Sequence, residues 1–133
     1  MKEKMMNNVE HPNHYQLNVK LEVLDIINLI VSNKSLPKSD AFIVGNAVKY
    51  LLRCEKKNGI EDLEKCKYYL EMLKNKTYQS SYSDFEHLIL KNIKDSIQDK
   101  DLALAFDSLY HLEIRNTLRH LTSHVIGKAL SED

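Results

Sequence analysis

Glycine, proline and cysteine are scarce in this chain, at three, two and two residues of 133, and tryptophan is absent. With Gly45, Gly59, Gly127, Pro12 and Pro37 as the only strong punctuation, there are too few turn residues for a protein of many short strands. Two cysteines, Cys54 and Cys66, cannot build a disulfide scaffold, and their place in helical patterns reads as reduced thiols of a cytoplasmic protein. No apolar run approaches the ~20 residues that span a bilayer, and the first ten residues lack the apolar stretch of a signal peptide, so no membrane association is expected. Neither sign of charge is in excess: 19 Lys and Arg meet 19 Asp and Glu, which leaves no general field for nucleic acid. The phosphate-cradling G-x-x-x-x-G-K-[ST] loop, G-x-S-x-G and H-E-x-x-H are all missing.

What is present is an apolar fraction of 43%, enough for one buried core, arranged almost throughout at three- and four-residue spacing. The expected fold is all-α, a compact bundle of about five helices behind a polar N-terminal arm at residues 1–18. A first helix is predicted from about Val19 to Ser32, with Leu21, Leu24, Ile27 and Val31 on its apolar stripe. Ser39 is the expected N-cap of a second helix, Asp40 to Glu55, which Asn58-Gly59 ends. A third runs from Ile60 to about Lys74. Residues 77–82 read as a linker, after which Ser83-x-x-Glu86 forms a capping box for a fourth helix to about Ile97. The remainder, Leu102 to about Leu130, is one long helix or two joined near Asn116-Thr117. Basic residues are in excess by three over 1–76 and acidic residues by three over 77–133, so an anionic ligand belongs with the first part.

Several polar residues fall on single helix faces. Glu22 and Asp25 are three apart on the first helix, Asn46, Lys49 and Arg53 make a stripe on the second, and Asp62, Lys65 and Tyr69 repeat it on the third. Converging, these faces would let the carboxylates hold a hydrated Mg²⁺ while Lys49, Arg53 and Lys65 take phosphate oxygens. Solvated faces carrying surface ion pairs are the alternative. Gly45, inside the second helix, costs about 1 kcal/mol against alanine and so marks a close neighbour. In the arm, His11-Pro12-Asn13-His14-Tyr15 gathers two imidazoles and a phenol. His120 and His124 stand one turn apart, without the third ligand of a zinc site.

The ordered blocks His11-Pro12-x-His14-Tyr15, Glu22-x-x-Asp25, Gly45-Asn46-x-x-Lys49-Tyr50-x-x-Arg53, Lys57 and Glu61-Asp62-Leu63-x-Lys65-x-x-x-Tyr69-Leu70 resemble a small bacteriophage family of nucleotide kinase-like proteins over about residues 9–73. The resemblance implies a nucleotide-binding protein, most concretely a Mg²⁺-dependent nucleoside monophosphate kinase without a P-loop. It implies nucleotide contact by His11, His14, Tyr15, Asn46, Lys65 and Tyr69, catalysis by Lys49 and Arg53, and metal binding by Glu22, Asp25 and Asp62. Glu22-x-x-Asp25 also resembles the all-α nucleoside triphosphate pyrophosphohydrolases, although no convincing counterpart of the further E-x-x-E pair of those enzymes is placed beside it. Residues 77–133 match neither pattern. Their apolar face suggests a module for homo-oligomerisation or for binding a host protein, in which case the chain would be a non-enzymatic inhibitor of a host defence factor.

Overall fold

The computed structural model describes residues 21–32, 36–55 and 59–131, and over these the chain forms six helices and no strand. They are α1 (Val23–Val31), α2 (Lys38–Arg53), α3 (Gly59–Glu71), α4 (Asp84–Ser96), α5 (Lys100–Tyr110) and α6 (Ile114–Ser131). The all-α expectation holds. The N-terminal arm, with His11, His14 and Tyr15, and the motif residue Lys57 lie outside the described residues.

Two helix pairs, α2 with α3 and α5 with α6, make the most extensive contacts; α1 packs on α2 and α4 on α5. The pairs meet through α3 with α6 and α2 with α5. Val44, Val48 and Leu51 of α2, Leu63, Cys66 and Leu70 of α3, and Leu90, Leu102, Phe106, Leu109 and Leu121 from the last three helices therefore share one hydrophobic core. Each leucine so enclosed stabilises the fold by roughly 1.5–3 kcal/mol. The buried apolar residues of 77–133 face those of 21–73, so the two regions complete each other's interior.

The first helix departs from its expected phase. Ile26 and Ile30 are buried, whereas Leu24 is 64% exposed. Asp25 and Asn28 mark the exposed side of α1, and Ile26 and Ile30 lie opposite them, whereas the expected stripe runs through Leu24, beside the polar side; the buried face is the one that packs on α2. Gly45 is buried there, and a β-carbon on it would come within 3.1 Å of Ile27 Cγ2, which identifies the close neighbour its position implied.

The start of α2 is also corrected. Pro37, extended at φ −61° and ψ 158°, is the N-cap, and Ser39 lies in the first turn. Asp40, in that same turn, is buried at 2% exposure. Its carboxylate accepts from the Tyr78 hydroxyl at 2.6 Å and from Lys76 Nζ at 3.1 Å. The linker at 77–82 is thus fastened at both ends, because the Tyr82 hydroxyl donates to the Tyr110 carbonyl at 2.6 Å.

Helix α2 stops at Arg53 rather than Glu55, and Gly59, at φ +44°, opens α3 instead of ending its predecessor. Helix α3 ends at Glu71, three residues early, in a tight turn where Leu73 N–H donates to Leu70 O at 2.9 Å. The Ser83–Glu86 capping box forms as expected, with Glu86 N–H on Ser83 Oγ at 3.1 Å and Ser83 N–H on Glu86 Oε1 at 2.8 Å. The last segment is two helices, broken at His111–Glu113 and not near Asn116. Leu112 adopts φ +60°, Leu112 N–H reaches Leu109 O and Glu113 N–H reaches Ser108 O, both at 2.9 Å, a left-handed helix stop. Leucine takes this position, where glycine is usual, because its side chain is buried.

The hydrogen bond from Tyr78, helped by Lys76 and opposed by burial, holds the Asp40 carboxyl below its usual pKa. Its ionised form is therefore favoured by folding, and the stability this gives is complete above the ordinary value of about 3.9 and lost as pH falls through the lowered one. Tyr78→Phe is expected to cost about 1–3 kcal/mol in urea unfolding at pH 6, with a smaller difference from the native protein at pH 3. Gly45→Val should cost about 1–3 kcal/mol through overpacking, with part of the loss recovered in a Gly45→Val/Ile27→Ala double variant.

Candidate functional site

Helices α2 and α3 run antiparallel, since Arg53 meets Asp62 while Tyr50, one turn earlier, stacks on Tyr69, one helical stretch later. The spacing of the two polar stripes thereby becomes a single face. Tyr50 is its centre: Lys49 Nζ lies 4.6 Å from the ring centroid, Lys65 Nζ 5.3 Å and Arg53 Cζ 5.9 Å. These are cation–π distances. Tyr69 lies parallel to Tyr50 at 6.1 Å, and Tyr68 meets Tyr69 edge-on at 5.4 Å. Tyr50, Lys65, Tyr68 and Tyr69, with Glu61 and Glu64, line an open groove of about 410 Å³.

The charges on this face are unequally matched. Arg53 Nε is 3.8 Å from Asp62 Oδ2, and the Asp62 side chain is fully buried while that of Arg53 is 39% exposed. Neither Lys49 nor Lys65 has a carboxylate partner among the described residues. Two ammonium groups without a carboxylate partner among the described residues and a guanidinium, beside three tyrosines and with Glu61 and Glu64 bordering the groove, can accept a group that is anionic at one end and planar at the other.

The structure thus gathers Lys49, Arg53, Lys65, Tyr69 and, through Arg53, Asp62. Asn46 sits two turns before Arg53 on α2, where its side-chain amide donates to the Phe42 carbonyl at 3.1 Å. Glu22 and Asp25 lie elsewhere, exposed at the start of α1: Glu22 is the N-cap, and its N–H donates to Asp25 Oδ2 at 3.0 Å. Helix capping accounts for their three-residue spacing. Among the described residues, Glu22, Asp25 and Asp62 do not form a trio of ligand atoms within 4.8 Å of one another. Tyr50 was legible only as a motif letter, although its position between Lys49 and Arg53 puts it on their face.

A different trio, Asp99, Asp101 and His124, does bring its ligand atoms within 4.8 Å. Asp99 caps α5 by accepting from Leu102 N–H at 3.0 Å, and its Oδ1 also lies 3.1 Å from His124 Nδ1. These residues have the donor types for a divalent ion, and Asp99 and His124 already serve each other and the start of α5. Asp99 and His124 border the larger cleft, about 450 Å³, between the ends of α2 and α3, the α4–α5 turn and α6. Its lining includes Glu55, Asp99 and Cys54, with Lys128 as its one lysine or arginine. Burial, reinforced by Glu55, Asp62 and Asp99, pushes the Cys54 thiol up to about 11, and burial raises Cys66 further. Both are protonated, unreactive thiols at neutral pH. Lys49 and Arg53, which approach the Tyr50 ring beside the smaller groove, have no counterpart in the lining of this cleft. His124 pairs with Asp99, 25 positions away in sequence, a separation that no local spacing rule detects.

Residues 9–71 match a protein family described as one of unknown function, DUF3310. No curated protein and no solved structure matches the chain. The match spans α1 to α3 and so contains the whole tyrosine-centred face. Among the described residues, no helix is long and apolar enough to cross a membrane.

The buried carboxylate distinguishes the cations of this face in a stability measurement. Arg53→Ala is expected to destabilise the protein by about 1–3 kcal/mol in urea unfolding, because it strands Asp62 without a counter-charge. Lys49→Ala should remain within about 0.5 kcal/mol of the native protein.

Proposed function

We propose that this protein binds a nucleotide on the α2–α3 face, with Lys49, Arg53 and Lys65 neutralising its phosphates and the tyrosine surface of Tyr50, Tyr68 and Tyr69 receiving its planar part. The observation that carries this reading is the convergence of three cations from two helices on one tyrosine ring, two of them without a carboxylate partner among the described residues. The sequence blocks that resemble the bacteriophage nucleotide kinase-like proteins supply these same side chains, which agrees with the proposal. Phosphoryl transfer between nucleotides is the reaction it suggests. Catalysis would then consist of positioning and charge stabilisation, to which Lys49 and Arg53 contribute directly.

In this proposal Mg²⁺ arrives with the phosphates. Glu22 and Asp25 serve as capping residues of α1, and Asp62 faces Arg53. The residues of 77–133 enter the shared core, so a host-protein partner would have to use what they leave exposed, chiefly Phe85, Ile126 and Leu130.

The test is calorimetric titration with the ribo- and deoxyribonucleoside mono- and triphosphates, with and without Mg²⁺, on the native protein and a Lys49→Ala/Lys65→Ala variant. Arg53 is left in place so that Asp62 keeps its counter-charge. Saturable binding, weakened at least about tenfold in the folded variant, supports the site. Silence across the panel would reject it and favour the protein-partner alternative.

A further inference from the structure

Asp62 is fully buried, and among the described residues neither of its oxygens receives a hydrogen bond. A lone carboxylate in such a place is costly in its charged form, and protonating it would only exchange the missing donors for a missing acceptor. Its explanation lies in Arg53, whose nearest approach is through Nε at 3.8 Å, an ion pair rather than a hydrogen bond. The guanidinium is thereby confined between a buried negative charge and the Tyr50 ring, with its Cζ 5.9 Å from the ring centroid. Its terminal Nη1/Nη2 edge, the fork that fits two phosphate oxygens, has no acceptor among the described residues.

We infer that Asp62 is a positioning residue: it holds Arg53 by the Nε edge and so presents the Nη fork to a phosphate on the α2–α3 face, beside the groove. This rests on the phosphate-ligand reading of the α2–α3 face. Asp62 itself, with no exposed surface, does not touch the ligand. Arginine is required because lysine offers a single point charge, with no second edge to present once the first is engaged. A surface arginine without Asp62 would sample many rotamers, and ordering it on binding would weaken the complex.

The experiment is a binding cycle of Asp62→Asn and Arg53→Lys, titrated with the nucleoside monophosphates of the same panel, with the Arg53 Nε–H resonance followed by NMR. In the native background Asp62→Asn is expected to weaken monophosphate binding about tenfold, and in the Arg53→Lys background less than about twofold, since the fork is already gone. The Arg53 Nε–H chemical shift, set in part by the carboxylate 3.8 Å from Nε, should move in Asp62→Asn. Were Asp62→Asn not to fold, Arg53→Lys alone would carry the test, with the same tenfold loss expected and unchanged binding overturning the role. Native affinity in Asp62→Asn, an equal loss in both backgrounds, or an unaltered Nε–H signal would each overturn it. If the native protein binds no monophosphate, the phosphate reading fails and the positioning role fails with it, leaving a structural ion pair whatever the resonance shows.

Discussion

Helices α2 and α3 lie antiparallel along a seam whose inner side is apolar except for the buried Asp62 and whose outer edge carries charge. Leu51, Leu63, Cys66 and Leu70 close the inner side, and α1, α5 and α6 are arranged about it. Because Asp62 sits within this seam and not on its rim, the register of the two helices is set by electrostatics as well as by volume. Sliding α3 by one turn would move the buried carboxylate away from Arg53 and separate Tyr69 from Tyr50 at the same time. Packing and the candidate site therefore constrain each other.

The helical character was legible because so few glycines and prolines interrupt a three- and four-residue period. Helix ends were less so, for reasons that are physical in each case. Ser39 has the chemistry of an N-cap, yet Pro37 fixes the start of α2, and Asp40 is drawn inward by a tyrosine 38 residues downstream. The stop before α6 uses Leu112 in a conformation where glycine would be the usual signal, and the burial that compensates is visible only in three dimensions. In α1 the two polar residues Asp25 and Asn28 mark the outer side, but the expected stripe runs through Leu24 beside them and not through Ile26 and Ile30 opposite.

At the site, periodicity predicted which residues share a helix face but not which faces meet. Lys49 and Arg53 and the matching stripe of α3 do come together, because a short connection forces neighbouring helices to pack, whereas the Asn46 amide bonds a carbonyl of its own helix. Glu22 and Asp25 have the same spacing and a different reason for it: a helix start needs acceptors for its free N–H groups. The imidazole of His124 and the carboxylate of Asp99 illustrate the opposite case, a contact made by the tertiary fold between residues with no shared pattern.

The two cysteines occupy opposite walls of the α2–α3 seam, one at the C-terminal cap of α2 and the other in the middle of α3. Cys66 is enclosed, Cys54 is 7% exposed at the edge of the larger cleft, and both are held in their neutral form, so reaction with alkylating reagents is slow as long as the helices stay together. The chain therefore carries its own pair of reporters: the rate at which each sulfur becomes modified counts how often that part of the bundle breathes. A difference between the two would separate fraying at the end of α2 from a full parting of the helices, without any label being introduced.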